Sequence, residues 1–328
     1  MTADVRIAII GAGKMAAVHA ANVARTDGAV LSAVAGGSGA PALAARHGAA
    51  ALEVDAAFAD PAIDAVVIAS PNPLHAAHIT QAVAGGKAVL VEKPVDLDIA
   101  RVDACIAAVG AAADRVVVAF NRRFDPSFAA LHDRLVAGEI GPLEQLVIVS
   151  RDHAPPPIAY VPGSGGLFRD MTIHDLDMAR WLGGEVTSVH AVGQVSDPEV
   201  AALDDVSGAM VTLTTAGGAL VTIVDARSNA SGYDQRLEAS GPAGTLAVGN
   251  RTATSVSAST AVGVGAGDLA ISHYGDRYRE AYAAEIAHLV AVTRGDERPR
   301  ATLEDGRRAL LLADAATESH RSGARIAT

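Results

Sequence analysis

Short apolar runs and helical repeats alternate over the first third of the chain. "VRIAII" (5–10) is an uninterrupted apolar run stopped by Gly11. Such a run reads as a parallel strand buried on both faces. "AVLSAVA", "AIDAVVIAS", "AVLV" and "RVVVAF" repeat the pattern. Between them lie stretches with apolar residues at helical spacing: "AVHAANVAR", "APALAARHG", "HAAHITQAVAGG" and "LDIARVDACIAAVGAAA". Strand and helix in strict alternation predict a doubly wound parallel sheet over residues 1–121.

The rhythm then changes. A helix in "FDPSFAALHDRLVAGEIG" is followed by a strand in "LEQLVIVSRD", a Pro-rich loop, and a helical segment at 165–184. From Val186 to about Ser259 strand follows strand with only Gly, Asp and Pro clusters between, and two helices close the chain. Strands without intervening helices pair antiparallel. Residues 122–328 are therefore expected to form an α+β domain with a large, mostly antiparallel open sheet, in a chain of the α/β class. Its "VTLTTA" and "VTIVDA" strands leave one face available as an interface between copies, so a homo-oligomer is expected.

Composition narrows the partners. With 26 Lys and Arg against 37 Asp and Glu, the net charge is −11. Nucleic acid and anionic membranes are poor partners for such a surface. No apolar run approaches the roughly 18 residues of a membrane span. The beginning of the chain lacks a signal-peptide pattern, so a cytoplasmic location is expected. Cys105 is the one cysteine and sits among alanines, where a thiol packs as a small apolar group.

Chemistry enters at Gly11. "GAGKMA" (11–16) fits G-x-G-x-x-G/A and stands between an apolar strand and a helix. In that context Gly11 permits the tight turn, Gly13 lets backbone N–H groups approach a pyrophosphate, and the helix N-terminus favours the anion. The acid that usually closes strand two and binds the adenosine ribose is missing: Ala35-Gly36-Gly37-Ser38 stands there, with no acid between Asp27 and Glu53. These residues leave the choice between NAD and NADP open.

Two further strand ends belong to the same rim, "SPNPLH" (70–75) and "EKP" (92–94). Lys93 leaves a buried strand there, placed to hold a substrate hydroxyl. In "GGLFRDMTIHDLDMARWLGG" (165–184), Asp170, His174 and Asp177 follow i, i+4, i+7 and would share one face of a helix. That face is either a solvated polar stripe or an acid/base pair on a packed helix. A shared metal ion is disfavoured, because the three would spread over roughly 10 Å of helix axis.

These segments, with "FNRRFDP", "SRDHAPPPIAY", "GYDQRLEASGPAGTL" and "EAYAAEIAHLVAV", resemble the glucose-fructose oxidoreductase/inositol dehydrogenase/rhizopine catabolism (Gfo/Idh/MocA) family, in particular its inositol-oxidising branch. The resemblance runs from residue 5 to the last helix. It implies transfer of hydride from a cyclic polyol, myo-inositol to its 2-keto form, to a nicotinamide, with NAD the expected cofactor, NADP left open, and a homo-tetramer the expected assembly. Lys93, Asp170 and His174 match the family's catalytic set, His174 as the base, and the Lys93–Pro94 bond is expected to be cis. Arg123, His153 and Tyr233 match positions that contact the polyol. Gly11, Gly13, Lys14, Met15, Ser38, Ser70, Asn72, His75, Glu92 and Lys93 are the expected cofactor neighbours. No metal is implied. The alternatives are oxidation of scyllo-inositol or a pyranose sugar, and a non-catalytic nucleotide-binding regulator.

Overall fold

The computed structural model describes residues 3–261 and 263–328. The chain divides into two compact units: the chain up to Pro126 together with Glu280–Leu310, and Ser127–Arg279 together with Leu311–Thr328. The sequence places one boundary, at residue 121; the structure puts the first crossing a few residues later and adds a return. The cause of the return lies at a sheet edge. Ala301 accepts a 2.9 Å hydrogen bond from the Val118 N–H, and a Cβ on Gly306 would stand 2.6 Å from Val95 Cγ2. Residues 280–310 thus cover an edge that would otherwise leave backbone groups unpaired.

The first unit is a six-stranded sheet: β1 Val5–Ile10, β2 Ala29–Ala35, β3 Ala50–Leu52, β4 Ala65–Ile68, β5 Ala88–Val91 and β6 Val116–Val118. All neighbours are parallel, in the order β3-β2-β1-β4-β5-β6. Ile7, Ile9, Ile10, Ile68 and Leu90 are wholly buried, as strands with helices on both faces require. β3 is absent from the sequence reading, because three residues at the sheet edge with no buried side chain are too short to stand out from the Ala-rich helices beside them. The strand order reverses between β1 and β4, and ligands of such sheets bind at that switch point.

The second unit holds a seven-stranded sheet: β7 Gln145–Arg151, β8 Val186–Gln194, β9 Gly208–Thr215, β10 Leu220–Ala226, β11 Asp234–Gly241, β12 Gly244–Val248 and, beyond the two-stranded ribbon β13 Ser257–Thr260 and β14 Gly263–Gly267, β15 Ile326–Ala327. The order is β12-β11-β7-β10-β9-β8-β15; only β7 and β10 are parallel. One face buries Leu213, Val221, Ile223 and Leu237, and the helix Ile173–Gly183 packs against β7, β8 and β10. The other leaves Val192, Met210 and Leu220 more than half exposed. No helix among the described residues is long and apolar enough to cross a membrane.

Candidate active site

In the first unit the site begins where β1 stops. Gly11 has φ +118°, and a Cβ there would lie 2.3 Å from the Ala69 carbonyl oxygen beyond β4. Its N–H donates to Ala35 O, at the end of β2, at 2.7 Å. Only glycine lets three strand ends meet this closely. Gly13 is the N-cap of the helix Lys14–Val23, and a Cβ on it would meet nothing within 4 Å. The first turn carries no acidic residue, Lys14 is exposed and Met15 half-buried. The open space above Gly13 and the helix N-terminus fit a pyrophosphate. Beyond β2, Gly36 and Gly37 both have positive φ and Ser38 is exposed, so no carboxylate stands at the end of this strand.

The other two strand ends are tied together. His75 is fully buried; its Nδ1 lies 2.8 Å from Pro94 O and its Nε2 2.8 Å from Ser70 O. The ring braces the end of β4 to the loop after β5 and lies beneath the rim. Ser70 Oγ is 3.0 Å from His78 Nδ1, and Asn72 opens a short 3-10 turn, half-exposed. The Lys93–Pro94 bond is cis, as the resemblance implied, and Lys93 is half-buried. Glu92 Oε1 lies 2.7 Å from His19 Nε2. Burial alone would raise the Glu92 carboxyl; the hydrogen bond from His19 and the nearby Lys93 charge outweigh it and hold Glu92 below the usual carboxylate range.

Arg123 also belongs to this unit, buried in the turn Asn121–Phe124. Nη1 donates to Arg300 O at 2.9 Å, and Nη2 lies 3.2 Å from Asp305 Oδ1. Asp305 also accepts from the Thr302 N–H, while Thr302 Oγ1 accepts from the Asp305 N–H, a reciprocal helix cap. Burial pushes the Asp305 carboxyl up, but Arg123 and Thr302 bring it below its usual value.

In the second unit the 165–184 segment departs from a single α-helix. Phe168–Thr172 is a π turn, continued by the α-helix Ile173–Gly183. The extra residue in the turn breaks the i, i+4, i+7 register, and such turns recur at functional sites. Asp170 and His174 are half-buried, whereas Asp175 and Asp177 are fully buried. A solvated polar stripe does not describe this helix. Asp170 Oδ1 accepts a 2.9 Å hydrogen bond from the Tyr160 hydroxyl, and its Oδ2 a 3.2 Å bond from Arg227 Nη1. His153 is exposed after β7; Tyr233 is buried at the start of β11, its ring edge-on to Tyr278.

Sequence reasoning missed His19, Tyr160, Asp205, Arg227 and Glu285. One of them left a trace: Glu285 sits on the apolar stripe of Tyr282, Ile286 and Leu289 and is fully buried. The other four are recognised only through partners distant in sequence.

A glycine cradle at the switch point of a doubly wound sheet, followed by a unit carrying an acid in a π turn and a histidine in the helix that continues it, defines a dinucleotide-binding oxidoreductase. Residues 5–120 match the model of the oxidoreductase family with an NAD-binding Rossmann fold, and residues 128–247 match the GFO/IDH/MocA C-terminal domain. The chain belongs to the GFO/IDH/MocA oxidoreductase family. It is 41% identical to the inositol 2-dehydrogenase of Rhizobium meliloti (strain 1021), over 96% of each chain. It is 33% identical to the scyllo-inositol 2-dehydrogenase (NAD(+)) of Bacillus subtilis (strain 168), over 98% of this chain and 96% of that one. Among solved structures it is similar to a myo-inositol dehydrogenase from Corynebacterium glutamicum ATCC 13032, with TM-score 0.95, 44% identity, and coverage of 99% and 98% of the two chains.

Proposed function

We propose that this oxidoreductase oxidises the C2 hydroxyl of myo-inositol, with NAD as acceptor, to 2-keto-myo-inositol. The observation that carries the reading is the half-buried pair of Asp170 in the π turn and His174 in the helix that continues it, in a chain similar over nearly its full length to inositol 2-dehydrogenases. When bound, the nicotinamide accepts the hydride from the carbinol carbon. Lys93 donates a hydrogen bond to the oxygen that becomes the carbonyl. His174 removes the hydroxyl proton, a task suited to imidazole because its ordinary pKa lies near working pH. The overall change is one hydride to the nicotinamide and one proton to His174. Asp170, held by Arg227, accepts a hydrogen bond from a ring hydroxyl. Arg123, His153 and Tyr233 complete the proposed polyol contacts, the Asp305 pair holding Arg123 in its turn.

NAD is favoured by the description of the matched family and by the name of the Bacillus subtilis relative. The uncharged loop Gly36-Gly37-Ser38 makes NADP the second cofactor to test. Nicotinamide reduction with myo-inositol, scyllo-inositol and glucose, each with NAD and NADP, tests the assignment on wild type and Lys93→Ala. Myo-inositol with NAD should give the highest kcat/KM, falling at least about 100-fold in the variant. A higher kcat/KM with scyllo-inositol or glucose would reassign the substrate. Nucleotide binding without turnover of any polyol would favour a regulator. The protein is expected to act in the cytoplasm as a homo-tetramer.

A further inference from the structure

Arg227 stands one residue beyond β10, its side chain only 4% exposed, between two carboxylates. Nη1 binds Asp170 Oδ2 at 3.2 Å, and Nη2 lies 3.8 Å from Asp205 Oδ2. Asp205 reaches back to the start of the π turn, its Oδ1 accepting a 2.9 Å hydrogen bond from the Leu167 N–H. Gly166 makes room for that carboxylate: its φ is +84°, and a Cβ there would stand 2.8 Å from Asp205 Oδ1. The Arg227 N–H is itself anchored to Ser207 O at 2.8 Å. The π turn Phe168–Thr172 is therefore held at two points: Asp205 grips the residue before it, and Arg227 grips Asp170 at its centre.

The physics of the turn asks for such a clamp. A π turn has poorer packing along its axis than an α turn, and a chain left to local preference relaxes to the α form. Two carboxylates this close inside the protein also repel unless a fixed cation lies between them, and a guanidinium keeps its charge under all ordinary conditions. Among the described residues, Arg227 Nε and Nη2 and Asp205 Oδ2 are buried without a hydrogen-bond partner. The arginine has donors to spare for either acid, and its grip on the turn is not diverted to a third group.

We propose that Arg227 is a positioning residue for the dehydrogenase reaction: with Asp205 it builds the π turn that presents Asp170, and it acts on catalysis only through that turn. The inference rests on the reading of Asp170 as a substrate-binding group. Its consequences separate the turn from the first unit, whose nucleotide cradle has no part in the clamp.

The test uses the full-length protein and three variants, Arg227→Ala, Arg227→Lys and Asp205→Asn, with two readouts. Amide hydrogen exchange over residues 167–174 reports the turn without requiring turnover. It should quicken at least about tenfold in Arg227→Ala and Asp205→Asn, with the amides of β1 to β6 unchanged. Steady-state kinetics should show kcat with myo-inositol falling about 100-fold in Arg227→Ala, the cost of misplacing a binding group by an ångström, while KM for NAD stays as in wild type. Added guanidinium ion should restore part of the lost rate. If Arg227→Ala does not fold, Arg227→Lys and Asp205→Asn carry the same readouts. Unchanged exchange at 167–174, or a kcat/KM for the polyol equal to wild type, overturns the positioning role. Wild type inactive with every polyol overturns instead the reading on which it rests, and the exchange result then decides the clamp alone.

Discussion

Glu92 and His19 stand 73 residues apart in sequence and 2.7 Å apart in space. Glu92 is ionised, so the hydrogen bond is donated by His19 Nε2. It joins the helix that follows the glycine turn to the strand end that carries Lys93. His19 is packed edge-on against Tyr282, at 6.1 Å between ring centroids. Removing the histidine leaves a buried carboxylate without its partner. His19→Leu should therefore destabilise the protein by about 3–5 kcal/mol, read as a fall in the urea midpoint. Glu92→Gln keeps a neutral hydrogen bond to the same ring and should cost less. The reverse ranking would show that the pair is not held as described.

The two glycines of the turn should separate fold from ligand. At Gly11 a Cβ collides with Ala69 O and φ is +118°, so Gly11→Ala should damage the first unit itself and lower Tm sharply. At Gly13 the backbone is extended and a Cβ meets nothing. Gly13→Ala should leave the unfolding free energy within about 0.5 kcal/mol of wild type. Because the proposed pyrophosphate fills that space, NAD affinity by fluorescence titration should drop about tenfold, or 1.4 kcal/mol. Full NAD affinity in Gly13→Ala would place the pyrophosphate elsewhere.

Glu285 is wholly buried, neither carboxyl oxygen has a hydrogen-bond partner among the described residues, and Glu92 lies near. Burial first, and the Glu92 charge second, push its pKa well above the ordinary carboxylate value. The folded state therefore holds a proton that the unfolded chain releases, and stability falls as pH rises from the unfolded pKa toward the folded one. Below the unfolded value both states are protonated and the penalty vanishes. Glu285→Gln removes the penalty, gaining about 1.4 kcal/mol per unit of elevation. The gain should appear in the denaturation midpoint at pH 8 and be absent at pH 4. Equal midpoints at pH 8 would count against a protonated Glu285.

The open face of the second sheet sets Val192 opposite Met210, Met210 opposite Val224, and Val224 opposite Val149 across four strands. Val192 and Met210 are 59% and 63% exposed. An apolar row of this kind favours pairing with a second copy of the chain. Light scattering at micromolar concentration should give a homo-oligomer, and Met210→Glu should dissociate it without lowering NAD affinity. A monomeric wild type would remove this face as the interface.

Much of this protein is legible without coordinates. The apolar runs that became β1, β2, β4, β5 and β6 are visible because a strand buried on both faces tolerates few polar residues. The strand series after Val186 is visible through alternation, since each strand packs one face and exposes the other. Gly11 is legible because the turn between strand and helix admits one kind of residue. Periodicity also shows that the segment around Asp170 is helical, but it cannot show an i→i+5 bond, and the π turn appears only when tertiary contacts hold it.

The sequence by itself therefore determined the two folds, the glycine cradle and the residue types available for chemistry, because each reports a local constraint of burial or backbone conformation. Tertiary structure decided which of those residues are paired and how. It set Arg227 on Asp170, His19 on Glu92, Asp305 on Arg123, and His75 between Ser70 and Pro94. It also brought residues 280–310 back to cover the edge of β6. Such partnerships depend on which strand end arrives beside which turn, and no pattern within one segment records its distant neighbour.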